Sequence, residues 1–161
     1  MTWTFLRPNL FMQGLLQLAP MVRATGVLAA PIGEAAVSVI DVRDIADAAV
    51  AALTEDGHAG QTYTLTGPAA LSHAALAAAL TQAAGRDIAF VRASDEQMRG
   101  ALAAAGMPAW QVEGLIEDYA HYARGEAAMV TADVAQATGH PPRDFAAFAR
   151  EHASAFRADD S

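Results

Sequence analysis

The chain has 161 residues with a formal net charge of −8, and that acidic balance opposes a nucleic-acid partner, which needs a basic footprint to displace counterions. Cysteine is absent and all ten basic residues are arginine, which excludes disulfides, thiolate catalysis, zinc-thiolate sites and any lysine chemistry. A hydrophobic fraction of 53% at this length suits one domain, residues 1–161, burying roughly 70% of its unfolded surface.

Trp3 to Leu6 is β-prone, and Pro8 is expected to end that strand because its ring removes a ladder donor. Leu10 to Leu18 has helical spacing on Phe11, Leu15 and Leu18, with Pro20 as the stop. Residues 21–36 read as irregular, punctuated by Gly26, Pro31 and Gly33, with one short strand at Gly26 to Ala30. Val37 to Ile40 is the next strand and runs straight into a helix. Asp41 stands at its N-cap and Asp44 at N3, an acidic variant of the capping box. Ile45, Ala49 and Leu53 are the expected buried face of that helix. Gln61 to Thr66 alternates as a strand, and Gly67-Pro68 turns it.

From Ser72 the chain reads as mainly helical. Ser72 caps a helix to about Ala84, closed by Gly85, and Ile88 to Arg92 is a short strand. Ser94 and Gln97 form a capping box for a helix reaching Ala105. Pro108 suits the first turn of the next helix, to about Arg124. Thr131 opens a short helix ended by Gly139, and Pro141-Pro142 breaks the chain. Arg143 to Phe156 forms the last helix, with Phe145, Phe148, His152 and Phe156 on one face. Alanine supplies 41 residues, which favours close helix packing. No run approaches the ~18 apolar residues of a membrane span, and no basic leader precedes a cleavable apolar stretch. A soluble cytoplasmic protein without a membrane partner is the expectation.

Strand-to-helix units over residues 1–70 belong in a parallel α/β sheet, with a mainly helical part over 71–161. No two glycines stand as Gly-x-Gly, so the Gly-rich turn that opens a nucleotide-binding sheet is missing. The expected class is therefore α/β, the C-terminal half of a Rossmann-like doubly wound sheet.

Four segments carry a family likeness: Trp3 to Met12 (WTFLRPNLFM), Val37 to Ala46 (VSVIDVRDIA), Thr62 to Pro68 (TYTLTGP) and Thr138 to Arg143 (TGHPPR). Their order and spacing span nearly the whole chain. Together they resemble the C-terminal half of the NmrA-like, atypical short-chain dehydrogenase/reductase family. That family includes NAD(P)H quinone reductase-like and azoreductase-like enzymes, and non-catalytic redox-sensing regulators. The resemblance implies a Gly-rich pyrophosphate turn upstream, outside this polypeptide, together with any catalytic tyrosine or lysine. It implies NAD(P)H as cofactor, with Pro8, Asn9, Leu10 and Phe11 near the nicotinamide end. It further implies that the mainly helical part, residues 71–161, is the substrate side, and that Phe11, Met12, Trp110 and Tyr119 border a small, mostly apolar substrate.

Each residue also has a plainer reading. Asn9 serves either the cofactor or its own turn, and Phe11 and Met12 lie on an apolar stripe that suits core. Arg7 pairs with a phosphate or, as a structural charge, with a carboxylate. Asp41, Arg43, Asp44 and Asp47 are explained by a helix start rather than by acid-base catalysis. Glu117 and His121 lie four apart on a solvated helix face without further metal ligands. Tyr119 and Tyr122 suit buried rings with a wet tip, and His58, His73, His140 and His152 lack a triad-like context. No catalytic residue or metal ligand is therefore assigned. Three functions follow as expectations: a reductase passing hydride to a quinone-like or other small acceptor, a dinucleotide sensor, and an inactive truncated product. The half-sheet would expose strand edges, which a homodimer could cover.

Overall fold

The computed structural model describes residues 2–158. Six short strands and eight helices follow in the order β1 (Phe5–Pro8), α1 (Gly14–Thr25), β2 (Val27–Ala30), β3 (Ala36–Val37), α2 (Val42–Thr54), β4 (Thr62–Leu65), β5 (Leu71–Ser72), α3 (His73–Ala84), β6 (Ala89–Arg92), α4 (Asp95–Ala104), α5 (Ala109–Ala123), α6 (Asp133–Thr138), α7 (Phe145–Glu151) and α8 (Ala153–Phe156). In place of one continuous doubly wound sheet, the strands of the described residues form three separate two-stranded sheets. β1 pairs with β4 and β2 with β6, both parallel, while β3 and β5 are antiparallel. The α/β class holds.

β1 starts at Phe5 and keeps Pro8 as its last residue, facing Leu65 in register. Proline is tolerated there because it closes an edge strand. Phe11 does not open a helix: it forms a parallel bridge with Ile40, through Met12 N–H to Ile40 O at 2.8 Å and Ile40 N–H to Leu10 O at 2.9 Å. The expected stop at Pro20 is also displaced. Pro20 lies inside α1, which runs on to a left-handed Gly26. An internal proline costs about 3 kcal/mol, and burial of the Leu15, Ala19 and Val22 stripe outweighs it.

Asp41 caps α2, accepting from Arg43 N–H at 2.9 Å. Asp44 does not reach back as a capping box. Its buried carboxylate accepts from Arg143, 99 residues away. This turns α2 about its axis relative to the expected face. Asp44, Ala48 and Ala51 are inside, whereas Leu53 is 85% exposed. A neutralised carboxylate can occupy an inward position that periodicity assigns to an apolar side chain.

The later elements follow the caps. Ser72 Oγ accepts from Ala75 N–H and Gly85 closes α3; Ser94 and Gln97 form a reciprocal capping box on α4; Gly139 ends α6. The last helix divides into α7 and α8 at His152, with Phe145, Phe148 and Phe156 buried. The main core joins α1, β2, α3 and the Phe145–Phe156 region, and a smaller cluster of Ile40, Ala48, Leu65, Val134 and Ala137 lies beneath β1 and β4. Among the described residues, no helix is long and apolar enough to cross a membrane.

Candidate functional site

A cleft of about 1450 Å³ opens at the carboxyl ends of β1 and β4. Pro8, which ends β1, Asn9, Leu10 and Phe11, which follow it, and Thr66, which follows β4, form its floor. The carboxyl ends of parallel strands are where open α/β sheets bind ligands, since loops diverge there and leave a crevice. α1 supplies one wall through Leu15, Leu18 and Met21; the α4–α5 hairpin supplies the other through Met98, Leu102, Met107, Trp110, Leu115 and Tyr119.

Asn9 is the clamp of this floor. Its Nδ2 donates to Ser38 Oγ at 2.7 Å and to Ala127 O at 2.9 Å, while its Oδ1 accepts from Leu10 N–H at 2.8 Å. Ser38, fully buried, donates onward from Oγ to Met129 O at 2.6 Å. Both side-chain hydrogens of Asn9 are thus used inside the protein. The residue ties the end of β1 to the segment after α5, and leaves the turn backbone and neighbouring side chains to face a ligand.

The structure brings Pro8, Asn9, Leu10, Phe11, Trp110 and Tyr119 to one cleft. Met12 stands apart, with its side chain fully buried in the main core rather than on the cleft surface. Phe11 and Trp110 are both exposed, Trp110 to 75%, so they present apolar area to an incoming molecule. Arg7 also lines the cleft. It makes no ion pair among the described residues, so the carboxylate partner expected of a structural charge is not found there.

Tyr119 and Tyr122 meet edge to face with ring centroids 5.7 Å apart. Burial, reinforced by Tyr122, pushes the Tyr119 phenol up to about 12. Burial and then the Asp118 charge push Tyr122 up to about 12 as well. Both stay protonated near neutrality and offer hydrogen-bond donors rather than acid-base groups, which work best with a pKa near the operating pH. At the rim, His121 Nδ1 lies 2.6 Å from Glu126 Oε2, and Arg124 donates to Glu126 Oε1 at 2.6 Å. Hydrogen bonds from Arg124 and then His121 hold the Glu126 carboxyl down at about 2.

Behind Tyr119 lies His73, whose ring packs against Phe90 and Tyr119 at 5.7 and 5.8 Å. It is 1% exposed and neither ring nitrogen has a protein partner. Burial lowers its pKa from 6.5 to about 4. The unfolded chain therefore takes up a proton below about pH 6.5 that the folded chain refuses until about pH 4. Stability is complete above the unfolded value and falls as pH drops through that window, by up to about 3 kcal/mol. Urea midpoints measured from pH 7.5 to 4.5 are expected to fall more steeply for the native chain than for His73→Phe. Parallel slopes would show that His73 is not the source.

The acidic group on α2 is structural. Burial works to raise the Asp41 carboxyl, but hydrogen bonds from the Arg43 side chain and N–H and from Gln13 outweigh it and hold it down at about 2. Arg43 extends to Glu151, and Arg143 Nη1 contacts both Asp44 and Asp47. Asp44, Asp47 and His140 are close enough together to ligate a cation, yet the Arg143 guanidinium already neutralises that position. Sequence reasoning did not single out Ser38 or the methionines of the cleft. Ser38 had one signal, a lone hydroxyl within the apolar run Val37 to Ile40. Met98, Met107 and Met129 had none, because α4, α5 and the segment after them converge only in three dimensions.

No protein-family model matches the chain. It is 47% identical over 158 residues to the NAD(P)H azoreductase of Xenophilus azovorans, covering 98% of this chain and 55% of that protein. The structure of an NADPH-dependent quinone oxidoreductase from Escherichia coli, complexed with NADPH, superposes with a TM-score of 0.85 at 26% identity, over 94% of this chain and 53% of that one. The fold of the negative transcriptional regulator NmrA, solved in complex with NAD, matches with a TM-score of 0.65 at 15% identity, over 94% of this chain and 52% of that one. The chain spans about half the length of the curated relatives it matches. By sequence and by fold, it belongs to the NmrA-like family of NAD(P)H quinone reductases and azoreductases.

Proposed function

We propose that the chain is the C-terminal, substrate-side half of an NAD(P)H-dependent reductase that passes hydride to a quinone-like, azo or other small apolar acceptor. One observation carries this reading: the cleft at the carboxyl ends of parallel β1 and β4, floored by the turn after β1 and walled by apolar side chains. The likeness to an azoreductase and to a quinone oxidoreductase supports it.

The residues present suit one end of a dinucleotide. Pro8, Asn9, Leu10 and Phe11 offer a largely apolar shelf for a nicotinamide ring, held in place by the Asn9–Ser38 clamp. A pyrophosphate fits less well. The positive-φ glycines, Gly26, Gly57, Gly60, Gly85, Gly106, Gly125 and Gly139, lie singly at helix ends and turns, so no consecutive cradle of N–H groups forms among the described residues. When bound, NAD(P)H supplies the hydride. The chain binds, orients and excludes water: Phe11 and Trp110 cover an acceptor, Met12 supports the shelf from the core, and the Tyr119 and Tyr122 phenols donate hydrogen bonds.

Nicotinamide fluorescence on titration with NADPH and with NADH tests the reading, for the chain alone and in the presence of the complementary half of the azoreductase relative. Saturable enhancement is expected in at least the second case, and its absence in both overturns the proposal. NADPH oxidation should then depend on a naphthoquinone or azo acceptor; binding without oxidation would make the protein a dinucleotide sensor. Trp110→Ala is expected to raise the acceptor KM about 10-fold, as loss of a large apolar contact does. The dinucleotide affinity should not change.

A further inference from the structure

The two ring nitrogens of His73 and the Tyr119 hydroxyl have no hydrogen-bond partner among the described residues. His73 is the first residue of α3 and is 1% exposed. Buried polar groups are almost always paired, because an unpaired one keeps its full desolvation cost. A phenyl ring would fill much the same volume without that cost, so packing gives no reason for an imidazole at this position.

The surroundings say what could use these atoms. The His73 ring packs on Phe90 and Tyr119, with centroids 5.7 and 5.8 Å away. Tyr119 lines the cleft, and so does the fully buried Leu76, one turn along α3 from His73. His73 is therefore one side chain removed from the cleft, at its inner end. Tyr119 is held by ring contacts with His73 and Tyr122 and by no hydrogen bond, so turning its ring aside breaks none. The imidazole is uncharged near neutrality, since burial lowers its pKa to about 4. One of its nitrogens then donates and the other accepts. With the Tyr119 O–H, the pair offers two donors and an acceptor to one small polar group.

We infer that His73 and Tyr119 form a gated polar subsite at the inner end of the cleft, which takes the carbonyl or hydroxyl oxygen of a ring compound once the Tyr119 ring turns aside. This rests on the function proposed above for what enters the cleft, and it fixes which end of the acceptor points inward. A carbonyl oxygen accepts from the His73 N–H and the Tyr119 O–H. A hydroxyl donates instead to the bare imidazole nitrogen, so one subsite serves a ligand in its oxidised and its reduced form. A hydrocarbon of the same shape leaves all three protein atoms unpaired. The subsite thus selects oxygenated rings, while the apolar walls hold the ring itself.

The test compares 1,4-naphthoquinone with naphthalene, its oxygen-free counterpart, by titration of the chain in nitrogen-15 spectra. Naphthoquinone should bind at least about 10-fold more tightly, as a site built to hydrogen-bond its ligand rejects the analogue lacking that group. The His73 ring nitrogen signals should move with naphthoquinone and stay in place with naphthalene. His73→Phe and Tyr119→Phe should each weaken naphthoquinone about 10-fold and leave naphthalene within about twofold. His73→Gln, which keeps a donor and an acceptor, should recover most of the lost affinity. Equal losses for both ligands in His73→Phe would make the residue purely structural and overturn the inference. Unmoved His73 ring signals, or no saturable naphthoquinone binding, would overturn it as well. The two readings fail separately. Selective naphthoquinone binding without NADPH oxidation, even with the complementary half of the azoreductase relative present, would remove the reductase and keep the subsite. NADPH-dependent reduction of naphthoquinone with the same KM in His73→Phe would remove the subsite and keep the reductase.

Discussion

Gly67→Ala is expected to cost about 3 kcal/mol or more, beyond the 1–3 kcal/mol of ordinary overpacking. Gly67 follows β4, where its N–H points at Ser38 O at 3.4 Å. A Cβ placed there would lie 2.1 Å from Val39 O and 3.2 Å from Val39 C. The obstacle is backbone, so no rotamer change relieves it, and either the segment around Val39 or the end of β4 must move. Val39 and Thr66 both border the cleft, and Thr66 Oγ1 accepts from Thr131 N–H at 3.0 Å. Displacement there should therefore distort the ligand site together with the fold. A fall in melting temperature of roughly 6–12 °C follows for a chain of this length. Gly100→Ala is the matched control. It sits in exposed α4 with nothing near the added methyl, and should gain up to about 1 kcal/mol from helix propensity alone. Equal melting temperatures for the two variants would show that the Gly67 contact is not limiting.

How far the sequence announces this molecule depends on whether the governing interaction is local. Ser72, Ser94 with Gln97, Gly85 and Gly139 mark helix ends with side chains or φ values that act within four residues, and the structure places those ends accordingly. The departures come where a distant partner decides. Pro20 fails to stop α1 because core burial along Leu15, Ala19 and Val22 holds the helix together. Leu53 is exposed because Asp44 faces inward, and it faces inward because Arg143 meets it. Phe11 leaves the helical stripe because Ile40 offers it a bridge. The candidate site divides in the same way. The turn after β1 could be read from Pro8 and Asn9, a strand breaker followed by a turn former. Of the opposite wall, Trp110 and Tyr119 are expected from the family resemblance alone, and Met98, Met107 and Met129 could not be read at all, because they come from three segments that share no pattern. Nor does sequence alone reveal that Asn9 Nδ2 is committed to Ser38 and Ala127, the latter 118 residues away.

The second large effect tests that long-range control directly. Arg143→Met should destabilise the protein by about 3–5 kcal/mol, because it strands a buried carboxylate. Asp44 has no side-chain exposure, and Arg143 meets it through both backbone N–H and guanidinium. Asp47 shares the guanidinium at 2.9 Å but is 40% exposed, so water can replace that contact. Asp44→Leu is the milder change. It removes the charge and leaves the Arg143 N–H without an acceptor, which costs about 1–3 kcal/mol, while the guanidinium keeps Asp47 and solvent. The double variant Asp44→Leu/Arg143→Met should then resemble Asp44→Leu alone, since its buried charge is gone. A double-mutant cycle from urea unfolding is expected to show a coupling of about 2 kcal/mol or more; additivity within about 0.5 kcal/mol would mean that the pair does not act as a unit. The consequence reaches the outer face of α2. Arg143 from one side and the Arg43–Glu151 pair from the other fasten α2 to the α7 region. That fastening is what sets which face of α2 is turned outward, with Val50 and Leu53 bare beside β1. In Arg143→Met, exposure of Leu53 should change along with stability, measurable as altered amide exchange across α2, whereas Gly67→Ala should leave the orientation of α2 as it is.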